Sequence, residues 1–387
     1  MLTLDSNRNT SPKCERGVRD GFPRWRVGLV LRELAFGYLR DAVSAAANSW
    51  NRFWFSPADS SMLCLIRVLA GLMLLYSHAV WTLHLEAFFG EHSWLTREVV
   101  AQASQGGFTW SVLSWCRTPA ALWTMHVAAL MTFALLTIGL WTRVVSVLAF
   151  VFTVSYAYRT PGALYGLDQV NGFLSLYLMI GPSGSRFSVD AVRARRAGRV
   201  TDRPSVTGHI AVRLIQCHLC VIYLFAGLSK LQGPTWWNGL AVWGGIANQE
   251  YQTLDLTWLA DWPPLVNFLT HATVAWELSY CVLIWNRWTR PLVLLGAIGM
   301  HLGIITALGM PTFGLAMLIA NVAFVSPAVV RIMFDPVAVP SLSVQSMVSG
   351  SPAAADVARR VDSPTADNAV ARPPSRTQGR SKSKRSS

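Results

Sequence analysis

Apolar side chains gather into long runs between residues 62 and 327, and polar residues gather between the runs. The pattern predicts eight spans, at 62–83, 119–141, 144–158, 168–182, 211–231, 265–285, 291–308 and 310–327. A helix needs about 20 apolar residues to cross the hydrocarbon core of a bilayer. The 144–158 and 168–182 runs fall short of that, which fits tilted or partly interfacial helices. Lipid offers backbone groups no hydrogen-bond partner, so helices are the natural element. The expected fold is all-α: a polytopic membrane bundle of about eight transmembrane helices.

Composition agrees. The chain of 387 residues is 52% hydrophobic and 14% charged, and carries 17 tryptophans. Residues 1–20 are polar and basic with no apolar h-region, so the first span is expected to act as its own insertion signal. Charge orients the spans. With both termini in the cytoplasm, twenty-eight of the 33 lysines and arginines fall on the cytoplasmic side. Only Arg97, Arg117 and Arg159 fall outside, while Arg67 and Lys230 lie within or at the edge of spans. That bias follows the positive-inside rule for an even number of crossings. It also accounts for most of the net charge of +13, with no need for nucleic acid. Basic cytoplasmic segments favour anionic lipid headgroups instead. The expected location is the cell membrane, crossed several times.

Four regions follow. Residues 1–23 are polar and expected to be mobile. Residues 24–51 mix arginines with Trp25, Leu29, Leu34 and Leu39, as an interfacial amphipathic helix does. Residues 52–335 form the membrane domain. Residues 336–387 are a basic tail rich in Ser, Pro and Arg that cannot bury a core and is expected to be disordered. The outer loops are 84–118 and 232–264, the second rich in tryptophan.

Ionisable groups inside a membrane are costly and mark functional positions by default. Lys230 ends span five, either as a snorkelling anchor or as a base. His301 is the one ionisable side chain between Arg290 and the end of span eight. Asp168 and Gln169 open span four, where an aspartate also suits a helix start. His78 closes span one, with His84 and Glu86 just beyond it. In the charge-fixed topology Lys230, His301, Asp168, His78 and His84 all lie toward the outer leaflet. They are expected to converge on one apolar pocket able to move protons. Trp236 and Trp237 follow Lys230 as substrate contacts or belt residues, and Gly227 precedes it by one turn, leaving room for a flat ring. Cys217-His218-Leu219-Cys220 has redox or metal spacing, but a single pair inside a membrane helix reads as packing, and no metal is expected. The six cysteines form no disulfide pattern.

At these residues the chain resembles a family. "LFAGLSKLQGPTWWNG", followed later by "GMHLGIITALGMPTFGLAMLIANVAFVSP", is similar to the HTTM membrane domain shared with the vitamin K-dependent gamma-carboxylase. "RFWFSPADSSMLCLIRVLAGLMLL" and "YGLDQVNGFLSLYLMIGP" resemble that family's first and fourth spans. The likeness covers about 52–327 and is most specific at Ala226, Gly227, Lys230, Leu231, Trp236 and Gly239. It implies Lys230 as the base that deprotonates a reduced vitamin K or menaquinol. It also implies a functional His301, and carboxylation at a glutamate by a carbon–carbon lyase. Two departures stand out. The Asn-His pair of the animal enzymes is replaced by Asp168-Gln169-Val170-Asn171, and the large lumenal domain that grips a propeptide is missing. Three expectations therefore stand side by side. One is a quinol- and oxygen-dependent carboxylase-like enzyme. Another is a membrane factor of SdpB or DoxX type that acts on a secreted peptide or with a quinone. The third is a scaffold that binds quinone or lipid.

Overall fold

The computed structural model describes residues 24–103, 109–250 and 252–334. The expected segments 1–23 and 336–387 lie outside the described residues. Nine long helices organise the described chain: α1 (Arg24–Phe55), α2 (Ser61–Trp81), α3 (Pro119–Ile138), α4 (Thr142–Arg159), α5 (Gly166–Ile180), α6 (Val206–Lys230), α7 (Pro263–Leu283), α8 (Arg290–Ala307) and α9 (Pro311–Asn321). No strand occurs among the described residues.

Each of the eight expected spans coincides with one of α2 to α9. Four stretches are long and apolar enough to cross a membrane unaided: Ser61–Phe89, Pro119–Ile138, Val206–Lys230 and Arg290–Ala307. The other four are shorter or more polar. Lipid-facing surface is visible on α8, where Leu292, Leu295, Ile298 and Leu302 form an exposed apolar stripe at helical spacing. A stripe of that kind is costly in water and ordinary in a bilayer. This is a helical membrane protein.

Local chemistry sets the helix ends. Proline occupies the first turn of α3, α7, α8 and α9, where its missing N–H costs nothing. Thr118 caps α3 by accepting from the Ala121 N–H, and Ser205 caps α6 by accepting from the Gly208 N–H. Gly139 stops α3 at φ 71°, three residues short of the expected limit. A Cβ there would also collide with the buried guanidinium of Arg67, so both conformation and space demand glycine. The last expected span is likewise cut: α9 gives way to a 3₁₀ turn at Val322–Phe324.

Two large apolar cores result, with a smaller cluster of Ile246, Leu259 and Val266, and α2 contributes to both large ones. Its first half packs with α5, α6, α7 and α9 through Leu63, Ile66, Leu174, Leu219 and Tyr280. Its second half packs with α3 and α4 through Leu74, Phe133 and Tyr156. The segment expected to lie at the interface is helical, forming α1. Its described part is largely exposed, and it is held at its end where His209 Nε2 donates to the Phe53 carbonyl at 2.8 Å and Phe53 meets the Trp285 ring at 5.5 Å.

Candidate functional site

Lys230 is the last residue of α6, and its partner is Glu277 on α7. Nζ donates to Glu277 Oε1 at 2.9 Å. It lies 2.8 Å from Oε2, an ionic contact without hydrogen-bond geometry. The lysine side chain is 22% exposed and the glutamate 6%, so the pair is sunk into the bundle with its lysine end toward the mouth. Nζ also sits 5.2 Å from the centre of the Trp236 ring, which favours a cation there. The exposed Trp237 donates instead to the Leu231 carbonyl at 2.7 Å, fixing the turn after the lysine.

Gly227 makes the pair possible. A Cβ there would stand 2.8 Å from Leu278 Cδ2 and 3.3 Å from Glu277 Cβ. The bare backbone lets α6 and α7 approach closely enough for a lysine and a glutamate to meet. The expected room for a flat ring over Gly227 is therefore filled by Leu278.

Two turns deeper on α6, Tyr223 opens a buried polar network over four helices. Its hydroxyl lies 2.7 Å from His301 Nε2 on α8 and accepts from Asn321 Nδ2 on α9 at 3.0 Å. Tyr280 on α7 donates to Asn321 Oδ1 at 2.8 Å. Asn321 Nδ2 also donates to the Met317 carbonyl at 2.9 Å. A carbonyl only accepts, so this bond fixes which way the amide faces. Tyr223 thus receives one hydrogen bond, and giving its own proton to His301 Nε2 satisfies both groups. The imidazole is neutral in this arrangement, with its proton on Nδ1. His301 Nδ1 and Trp276 Nε1 are buried with no hydrogen-bond partner, and Glu277 Oε2 has only its ionic contact with Lys230. Trp276 packs edge-on against Tyr223 at 4.9 Å and directly precedes Glu277 on α7. Leaving a buried donor such as His301 Nδ1 or Trp276 Nε1 unsatisfied costs about 1–3 kcal/mol.

The remaining expected residues fall elsewhere. Asp168 accepts from the Tyr165 N–H at 3.1 Å and closes a capping box at the start of α5. That start lies beside α9, because Gly166 meets Phe313, whose ring is 6.1 Å from His301. Gln169 is exposed. His78 belongs to the other core. Its Nδ1 bonds the Leu74 carbonyl at 2.7 Å, and its ring packs against Trp81, Phe133 and Tyr156. His126 stands close by, bonded to Tyr156 Oη at 2.7 Å and Thr82 Oγ1 at 2.8 Å. His84 is exposed. The single expected pocket is thus two polar centres, since the second half of α2 packs with α3 and α4 rather than with α6 and α8. His218 of the cysteine motif stacks on Phe173 at 4.4 Å and bonds Tyr177 Oη at 3.0 Å.

Sequence reasoning missed Glu277, Tyr223 and Asn321. Glu277 carried a signal: it is the one acidic residue on α7. An acid inside a membrane calls for a cation, and Lys230 was the unpaired one.

Among known proteins, neither the curated sequences nor the solved structures include a significant match to the chain. The model of one family, the HTTM domain, matches residues 55–328, a stretch that contains α2 to α9 and the whole Lys230–Glu277–Tyr223–His301–Asn321 arrangement. The chain, a membrane protein with apolar helices and this match over most of its length, belongs to the HTTM domain family.

Proposed function

We infer that this protein removes a proton from the hydroxyl of an apolar, quinol-like substrate that enters from the lipid, with Lys230 as the base. The observation that carries the reading is the half-buried Lys230–Glu277 pair, two turns from a buried polar network. An anchor needs only a long stem and a charge. A base needs an amine that can lose a proton and a partner to take it. Glu277 Oε1, at 2.9 Å, is such a partner. A proton passing from Nζ to Oε1 leaves a neutral amine. That amine then takes the substrate's hydroxyl proton: the O–H bond breaks, an N–H bond forms, and the new oxyanion lies against an ammonium. Low dielectric strengthens that final attraction.

The residues fit a hydroxylated ring. A substrate hydroxyl oxygen can accept from the His301 Nδ1–H or the Trp276 Nε1–H, both unpartnered, and its proton can be given to the Lys230–Glu277 pair. A reduced vitamin K or menaquinol would supply the acidic hydroxyl and two electrons. The Trp236 ring beside Nζ holds the ammonium in place and limits the access of water. The charge bias supports a site in the outer leaflet of the cell membrane, with the termini inside.

The test uses the full chain in lipid nanodiscs with reduced menaquinone, dioxygen and labelled bicarbonate. Quinol consumption that falls at least 100-fold in Lys230→Arg supports the base. Arginine keeps the ion pair but does not give up its proton near neutral pH. Absence of quinol turnover in the native protein, or full turnover in Lys230→Arg, overturns it. Label fixed into an added secreted peptide makes the protein a carboxylase. Quinol oxidation without label makes it a quinol oxidase.

A further inference from the structure

The positive-inside bias leaves three arginines on the outer side, Arg97, Arg117 and Arg159, and all three line one cavity of about 310 Å³. They come from three segments. Arg97 opens the short helix Arg97–Ala103, Arg117 precedes α3, and Arg159 ends α4. Trp110, Tyr158 and Ser114 also line it, and among the described residues no aspartate or glutamate does.

Among the described residues none of the three makes an ion pair, although Glu98 follows Arg97 in sequence. Arg159 is 2% exposed, and it donates to the Leu95 carbonyl at 2.9 Å, the Gly90 carbonyl at 3.0 Å and Ser93 Oγ at 2.8 Å. Arg97 donates to the Ser114 carbonyl at 2.8 Å and to the Cys116 carbonyl. These partners are neutral. Nε of both arginines is buried and has no partner. Arg117 is exposed, with no hydrogen-bond or ion-pair partner among the described residues. Three guanidinium groups around one cavity repel one another unless an anion sits among them.

We propose that this cavity binds a phosphate group. A carboxylate offers two oxygens in one plane. A phosphate offers up to four in a tetrahedron, which suits forks arriving from three directions. The same end of the bundle carries the exposed Trp94, Trp110 and Trp115, residues that favour headgroup depth. Two sources share this chemistry, the headgroup of an anionic phospholipid and a soluble phosphate.

Calorimetry on the full chain in nonionic detergent separates them. The probes are monomeric dihexanoyl phosphatidylglycerol, its phosphatidylcholine counterpart and inorganic phosphate. The native protein should bind phosphatidylglycerol at least tenfold more tightly than phosphatidylcholine, and Arg117→Gln should lose that preference. Arg143→Gln, at the other end of the bundle, should retain it. Inorganic phosphate binding that is also lost in Arg117→Gln assigns a soluble ligand. Binding of the lipid alone assigns a headgroup. Ser114→Asp, which puts an acid on the cavity wall, should abolish binding independently and covers the case of a poorly folded Arg117→Gln. Native protein that binds neither anionic probe overturns the proposal. So does Arg117→Gln or Ser114→Asp binding as the native protein does, or Arg143→Gln losing as much.

Discussion

Lys230 and Glu277 depend on each other, and substitutions at one report on both. Removing one member of a buried ion pair strands the other charge and costs about 3–5 kcal/mol. The lysine end is 22% exposed, so Glu277→Gln should lower stability by about 3 kcal/mol, at the low end of that range. Chemical unfolding in detergent measures it. Lys230→Met combined with Glu277→Leu should recover most of that loss and leave quinol turnover abolished, because an apolar pair packs well but carries no proton. A double variant as unstable as Glu277→Gln would mean that the pair does more than cancel its own burial. His301 gives a second residue-scale test. His301→Ala leaves the Tyr223 hydroxyl without an acceptor, at about 1–3 kcal/mol. His301→Gln restores an acceptor, so it should recover the unfolding midpoint while turnover stays depressed. Full recovery of turnover would make His301 a structural hydrogen-bonder only. Lys230 and His301 were legible in the sequence because each is a lone polar letter in an apolar run. Their partners were not. Glu277 lies 47 residues from Lys230 and Asn321 lies 98 from Tyr223, and only packing decides which helix faces meet.

At the scale of elements, the junction between α3 and α4 shows how a loop acid fixes a helix start. Asp190, on the short helix Val189–Arg196, accepts from the Trp141 N–H at 3.0 Å, the Thr142 N–H at 2.7 Å and the Thr142 hydroxyl at 2.8 Å. Trp141 is held at φ 51°, a conformation that a tryptophan rarely adopts unaided. Partial burial pushes the pKa of Asp190 up, but the bonds from Thr142 and Trp141 and the charge of Arg193 outweigh it and hold the carboxyl below its usual range. A depressed carboxyl stabilises the fold above its unfolded value of about 3.9, and that contribution fades as pH falls from there toward the lower folded value. Asp190→Ala should therefore lower stability by about 1 kcal/mol at pH 7, as the loss of a cap does, and the difference from the native protein should shrink below about pH 3.9. Melting curves from pH 7 to pH 3 read both. A gap that widens in acid would show that Asp190 is not the group responsible. The eight apolar runs were readable, since length and apolarity are local. Their ends were less so: Gly139 cuts α3 early because Arg67, from another helix, occupies the space a side chain would need.

For the whole molecule, the two proposals depend on the same sidedness. Lys230 ends α6 and Arg159 ends α4, and both ends fall outside if the positive-inside rule orients the chain. A base that receives a quinol from the outer leaflet and a cavity that holds a phosphate at headgroup depth both need that placement. The three outer arginines sharpen the argument. A rule that keeps arginine inside makes each exception costly, and exceptions gathered on one cavity indicate a use rather than scatter. Glu250 and Arg195 are exposed and fall on opposite sides of this topology. In a background without the native cysteines, Glu250→Cys should react with an impermeant maleimide in intact cells, and Arg195→Cys should react only after the membrane is opened. The control is simple: both variants must label equally in detergent. Labelling of Arg195→Cys from outside would invert the bundle. It would put Lys230 and the arginine cavity at the cytoplasmic face and remove the outer-leaflet substrate route, while leaving the Lys230–Glu277 geometry as it stands.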